Sequence, residues 1–182
     1  MLKGVILEEE NIEYFDIVDE QGKVIGKKPR GICHNGSKLL HPVVHVHIFN
    51  SKRELLLQKR KLTKDIQPGK WDTSIGGHIQ AGEPVKNAIL REALEETGIR
   101  INYDLLKFLS KYIFESDVER EFVYSYVYNY EGAVIFQESE IDEVRFFKRN
   151  EVKELISKKM TTPNFVREFE LLTDNNLFLK GS

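Results

Sequence analysis

Cysteine is almost absent from this sequence. Cys33 is the only one in 182 residues, which excludes an internal disulfide framework and a zinc cluster built from cysteines. Long apolar runs are missing too: the longest, Ala133 to Phe136, is four residues, against the roughly 18 that suggest a membrane helix. No charge of one sign dominates. Lys plus Arg number 27 and Asp plus Glu 29, a net charge of −2, without the basic excess of a protein that binds a nucleic-acid polymer. The opening Met1-Leu2-Lys3 turns acidic at Glu8-Glu9-Glu10, leaving no apolar stretch for a signal peptide, so the expected location is the cytoplasm. Linkers are lacking as well. There are five prolines, and no Gly, Ser or Pro tract and no internal repeat divides the chain. What remains, 41% apolar and 10% aromatic residues, suffices for one core.

Periodicity predicts one mixed α/β domain, with an N-terminal hairpin in residues 1–30, a core in 31–148 and C-terminal helices in 149–182. The hairpin is read as Tyr14 to Val18, a turn through Asp19-Glu20-Gln21-Gly22, and Lys23 to Gly26. Next, Pro42 to Phe49 alternates with period two, placing Val44, Val46 and Ile48 on one face and His45 and His47 on the other. Glu54 to Arg60 reads as a more buried strand, followed by a polar loop that ends at Thr73 to Gly77. Residues 84–97 form the clearest helix, with Pro84 at its first position and Gly98 as its stop. Strands are expected over Leu105 to Phe114 and Phe122 to Tyr130, and short helices near 151–159 and 163–173. The aromatic face from Phe122 through Tyr124, Tyr126 and Tyr128 to Tyr130 is read as sheet core in preference to a platform for a nucleobase.

Chemistry concentrates around the predicted helix. At about 100° per residue, Glu92, Glu95 and Glu96 share an arc of roughly 100°, whereas Ile89, Leu90, Ala93 and Leu94 spread over the other side. Like charges at this spacing each cost a helix about 0.2–0.5 kcal/mol, and Arg91 alone cannot neutralise three of them. A divalent cation can. Carboxylate oxygens without cysteine suit Mg²⁺ or Mn²⁺, and Gly76 and Gly77 let the backbone approach an ion or phosphate, the Gly76 carbonyl offering a further oxygen. An acidic helix face turned to solvent is the alternative.

The full spacing is Gly77, five residues, Glu83, seven residues, Arg91-Glu92, two residues, Glu95-Glu96, one residue, Gly98 and an aliphatic Ile99. It resembles the signature of the Nudix superfamily at every fixed position. The resemblance implies an α/β/α sandwich around a mixed sheet, and a metal-dependent enzyme acting by water attack on a diphosphate linked to another moiety. By position, Glu92, Glu95 and Glu96 are implied metal ligands, Glu92 or Glu95 taking part in activating water, with Glu83 and Arg91 orienting the helix carboxylates. Glu140, ahead of Phe146, is a further candidate for the proton acceptor; an exposed acidic loop from Glu138 to Glu143 is its alternative.

Outside that signature, Tyr14 to Phe147 resembles the branch containing isopentenyl-diphosphate isomerase and its hydrolase relatives. By that resemblance His34, His41, His78, Glu119 and Glu121 match a second site for Zn²⁺, Mn²⁺ or Mg²⁺, and Arg30, Arg60 and Lys64 match contacts to diphosphate. The sequence departs from the isomerases at Gly76, where they carry the cysteine that moves the isoprenoid proton. Hydrolysis is therefore favoured over isomerisation. A non-catalytic binding module ranks last, because such modules commonly lose the carboxylates that this sequence keeps. The partner expected is a small diphosphate, with no nucleic-acid polymer and no membrane; a homodimer stays open.

Overall fold

The computed structural model describes residues 12–64 and 66–179. The Met1 to Glu10 segment that bears on a signal peptide lies outside them. The hairpin forms, its second strand running on to Pro29 past the expected end at Gly26. Strands β1 (Tyr14–Val18) and β2 (Val24–Pro29) pair antiparallel across a turn in which Asp19 Oδ1 accepts from the backbone N–H of Gln21 and Lys23 at 3.0 and 2.9 Å. A single helical turn, α1 (Arg30–Cys33), which the sequence pattern did not suggest, then carries the chain to the sheet.

The sheet is mixed and is organised around β3 (Leu40–Phe49), buried along its whole length. Strand β3 meets β4 (Leu55–Arg60) antiparallel at one end and β6 (Ile75–His78) antiparallel at the other. Along its other side it runs parallel to β8 (Arg120–Asn129), which pairs antiparallel with β7 (Lys107–Glu115). The short β5 (Trp71–Asp72) and the strand β9 (Ile141–Phe147) both join β4.

Helices cover both faces. On one, Val44, Val46, Ile48 and Leu56 pack with Ala88, Ile89 and Ala93 of α2 (Val85–Thr97). On the other, Phe49, Leu55 and Leu57 pack with Val152 of α3 (Arg149–Ser157) and Phe165, Phe169 and Leu172 of α4 (Pro163–Asp174). Leu55, Leu56 and Leu57 thus need no alternation, because successive side chains enter different cores. Together these give the expected α/β arrangement, a mixed sheet between helical layers.

Several boundaries move. The stretch ending at Gly77 is partly strand, because β6 finds a partner in β3, whose paired residues lie 29 to 35 positions earlier in the sequence. Pro84 is the cap and not the first turn, its ψ of 142° being extended, while Gly98 ends α2 at φ 66°, a left-handed position that glycine occupies without steric cost. Leu105 belongs to a 3₁₀ turn (Tyr103–Leu105), so β7 starts at Lys107. The acidic stretch becomes strand at Ile141. Leu94, counted on the core side of the helix, is 45% exposed. The tyrosine stripe is core, with Tyr128 buried and Tyr124, Tyr126 and Tyr130 packed against the α2 cluster.

Candidate active site

Helix α2 lies against β6, and this contact turns the three glutamates into unequal positions. Glu96 is buried: its Oε2 accepts from the Gly76 N–H at 3.1 Å and from Gln58 Nε2 at 3.3 Å. Glu92 lies against Gly77 so closely that a Cβ there would stand 2.0 Å from the Glu92 carboxyl carbon; glycine at 77 is the condition for this approach. Glu95 is outermost, its side chain 54% exposed.

Arg91 ties the group together. Its Nε and Nη2 donate to the two Glu83 oxygens at 3.0 and 2.8 Å, Nη1 donates to Glu92 Oε1 at 2.7 Å and to Glu95 Oε2 at 3.3 Å, and Nη2 also donates to the His78 carbonyl at 3.0 Å. Such a bracket fixes α2 on β6. One guanidinium does not balance the set. Burial pushes Glu92 up to about 7 against the opposing pull of Arg91, and Glu96 up to about 8, with Glu92 adding to the rise. Two desolvated carboxylates that share too little counter-charge, in oxygen-rich surroundings, fit a divalent ion such as Mg²⁺ or Mn²⁺.

A second cluster is assembled from distant segments. His34 from α1, His41 from β3, His78 from β6 and Glu119 from the turn before β8 place one donor atom each within 4.8 Å of one another. His34 Nε2 and His78 Nε2 face each other at 3.0 Å, and Glu119 Oε2 is 3.5 Å from His34 Nε2. His41 Nδ1 lies 2.9 Å from the Leu39 carbonyl, which can only accept, so Nδ1 carries the hydrogen and the buried Nε2 keeps a lone pair with no hydrogen-bond partner among the described residues. Phe15 of the hairpin closes the cluster by stacking on His41 and His78 with centroids 5.5 and 4.5 Å away. Burial holds all three imidazoles below their ordinary range, His34 at about 4, with mutual repulsion adding to the effect on His34 and His78. Neutral imidazoles converging with a carboxylate are what a metal ion requires.

Glu121 stands apart from these four, outside the set within 4.8 Å. It is the parallel-register partner of His41 on β8, and Glu119 lies one residue before that strand. Burial raises both carboxylates, each on its own account, and Glu119 adds to the rise of Glu121.

The glutamate cluster lines a cleft of about 150 Å³, and of the histidine cluster His78 alone reaches its wall among the described residues. Glu92, Glu96, His78 and Gly76 form one side, while Arg30, Arg60 and Lys64 supply positive charge. These cations are partly engaged: Arg30 with Glu13 at 2.9 Å, Arg60 with Asp72 at 3.4 Å and Lys64 with Glu140 at 2.9 Å. Glu140 lines the cleft, and Glu95 does not.

Sequence reading missed the layer beneath. Glu168 of α4, with no exposed side-chain surface, lies 3.0 Å from His45 Nδ1 and 3.3 Å from His47 Nε2. Burial works to raise its pKa, but the two imidazoles overcome it and hold the carboxyl well below its usual range; His45 is pushed up to about 9 by Glu168 in spite of its own burial. Gln58, Glu13 and Asn164 also escaped notice. Only the alternation that put His45 and His47 on one face could have signalled an ionised partner there.

Comparison with known proteins gives a consistent result. A family model of the NUDIX domain matches residues 39–169. A Nudix hydrolase of Pseudomonas aeruginosa is 34% identical over 137 residues, covering 72% of this chain and 76% of the relative. An isopentenyl-diphosphate Delta-isomerase of Citrobacter koseri is 36% identical over 89 residues, covering 49% of this chain and 49% of the relative. Among solved structures, a protein of Deinococcus radiodurans superposes with a TM-score of 0.75 at 23% identity, covering 87% of this chain and 98% of its own.

Proposed function

Since this chain belongs to the NUDIX-domain family, we propose that it is a divalent-metal-dependent hydrolase that cleaves a diphosphate linkage by attack of water at phosphorus. The observation that supports this most is that buried Glu96 and Glu92, with 13% of its side chain exposed, line a cleft that also carries Arg30, Arg60 and Lys64. Glu92, Glu95, Glu96 and the Gly76 carbonyl are the residues to hold Mg²⁺ or Mn²⁺, and the ion supplies charge that offsets the phosphate oxygens and acidifies water.

The remaining roles belong to the chain. Arg30, Arg60 and Lys64 bind the diphosphate and orient it toward Glu92. Glu92, steadied by the Arg91 bond to its Oε1, is the first candidate to take the proton of the attacking water. Glu140, joined to Lys64 and lining the same cleft, is the alternative acceptor. Arg91 and Glu83 keep the helix carboxylates in register.

Isomerisation in the manner of isopentenyl-diphosphate isomerase is the second reading, favoured by the histidine cluster and by the Citrobacter koseri relative. Gly76 speaks against it. A Cβ at this position would already stand 3.2 Å from Thr73 Cγ2 and 3.4 Å from His45 Cδ2, and glycine itself carries no acid or base. Nucleoside, sugar, coenzyme and isoprenoid diphosphates are the candidate substrates.

Phosphorus NMR on a panel of such diphosphates, with Mg²⁺ and then Mn²⁺, tests both readings. Cleavage of one class, abolished in Glu96→Gln, supports the hydrolase. Rearrangement of isopentenyl diphosphate without phosphate release replaces it by the isomerase, and binding without turnover under either ion by a binding module.

A further inference from the structure

The three cations of the cleft are held in different ways. Arg30 and Lys64 each pair with one carboxylate, Glu13 and Glu140, whereas Arg60 is directed through two of its nitrogens. Its Nε donates to the Ile66 carbonyl at 3.1 Å and its Nη1 to Asp72 Oδ2 at 3.4 Å. Among the described residues no acceptor takes the Nη2 hydrogens.

Asp72 is locked from behind. Its Oδ1 accepts from the Thr73 N–H at 2.9 Å and from Thr162 Oγ1 at 2.8 Å. Thr162 caps α4, so its hydroxyl hydrogen goes to Asp72 while its oxygen accepts from the Phe165 N–H at 3.4 Å. Backbone bonds reinforce the joint: the Trp71 N–H donates to the Met160 carbonyl at 2.8 Å, and the Thr162 N–H to the Trp71 carbonyl at 2.9 Å. Strand β5 is thereby fastened between β4, which carries Arg60, and the entry to α4. One carboxylate divides two tasks between its oxygens, Oδ1 toward α4 and Oδ2 toward Arg60.

We propose that Asp72 is a positioning residue for the substrate: fixed by Thr162 at the start of α4, it presents Arg60 to the diphosphate and leaves Nη2 for a phosphate oxygen. Helix α4 supplies none of the described residues that line the cleft, yet it sets the direction of a cation that does. A guanidinium on a long flexible stem binds phosphate best when its direction is set before the ligand arrives. The inference rests on reading Arg60 as a diphosphate contact, and its test separates the two.

Asp72→Asn cuts between the two tasks. Thr73 and Thr162 both donate, so the new amide must keep its oxygen toward them, and its NH₂ group then meets Arg60, donor against donor. Calorimetric titration of the full chain with methylenediphosphonate in the presence of Mg²⁺ reads the cleft without turnover. Arg60→Gln is expected to weaken binding of this probe about 10–100-fold, and Asp72→Asn about tenfold. The double variant should bind no more weakly than Arg60→Gln alone, because Asp72 acts through Arg60. In turnover of the diphosphate that the chain cleaves, Asp72→Asn should raise KM by a larger factor than it lowers kcat. If Asp72→Asn does not fold, Thr162→Val carries the same cycle with a loss of about threefold. Wild-type affinity in Asp72→Asn, or losses that multiply in the double variant, overturn the positioning role while leaving Arg60 as a contact. Wild-type affinity in Arg60→Gln overturns Arg60 as a diphosphate contact and the inference with it.

Discussion

The glutamate cluster that lines the cleft and the histidine cluster that touches it at His78 are built in opposite ways. The glutamate cluster comes from one helix and the glycine strand before it, within 21 residues from Gly76 to Glu96. The histidine cluster gathers His34, His41, His78 and Glu119 from separate elements, held by strand pairing and by the Phe15 ring. A local cluster is positioned by helical periodicity and survives small shifts of the sheet. A distributed cluster depends on every element at once. Mutations and pH should therefore act on them differently.

The largest effect is expected from Glu96→Gln, measured as turnover of the best diphosphate from the panel. Activity should fall about a thousandfold, within the range for loss of a group central to proton and charge management. The same change should raise the melting temperature of the metal-free protein, because the amide keeps the shape and removes a desolvated carboxylate. A fall in both would show that the Gly76 and Gln58 contacts matter more than the charge.

His78→Ala should have the next largest effect, about 10–100-fold on binding of a second metal equivalent, with Mn²⁺ still bound by the glutamates. Calorimetric titration decides it. Loss of both ions together would mean that the clusters are not separable.

Glu95→Gln should cost much less than Glu96→Gln, about tenfold in kcat/KM, since Glu95 is half exposed and lies outside the cleft. Parity between the two variants would mean that Glu95 turns inward when an ion is bound.

The smallest effect is on stability in the absence of metal. Glu92, Glu96 and Glu121 have raised pKa values in the folded state, so above their ordinary value near 4.5 the folded chain binds more protons than the unfolded one, and stability falls as pH rises toward 8. His45, raised to about 9, adds a contribution that is complete below about 6.5 and is lost upward. The lowered His34, His41 and His78 act with the other sign, costing stability as pH falls below 6.5. Between pH 6.5 and 8 the raised glutamates and His45 act in the same direction, and the lowered histidines do not contribute. With EDTA present, the melting temperature should drop by roughly 4–8 °C across that window. Adding Mn²⁺ should recover it, more strongly at the higher pH because the ligands must lose protons to bind.

Much of the local architecture could be read from residue order. The strands containing Val44 and Tyr124 showed in period-two alternation, and α2 in its Pro84 and Gly98 boundaries. The unequal burial of Glu92, Glu95 and Glu96 could not be read, because it depends on how α2 leans on β6. Glu168 and Asn164 were invisible for the same reason. Both read as ordinary polar residues of an amphipathic helix until the helix is laid under β3 and β8.

Sequence alone determined which residues can lie side by side within a turn of helix or strand, since backbone geometry fixes those neighbours: the glutamate arc, the glycines before it and the histidines facing away from the core valines. Tertiary structure decided which of those groups lose water and what they meet when they do. Desolvation depends on layers arriving from elsewhere in the chain, and it is desolvation that raises Glu92 and Glu96, keeps the three histidines neutral and pairs His45 with Glu168.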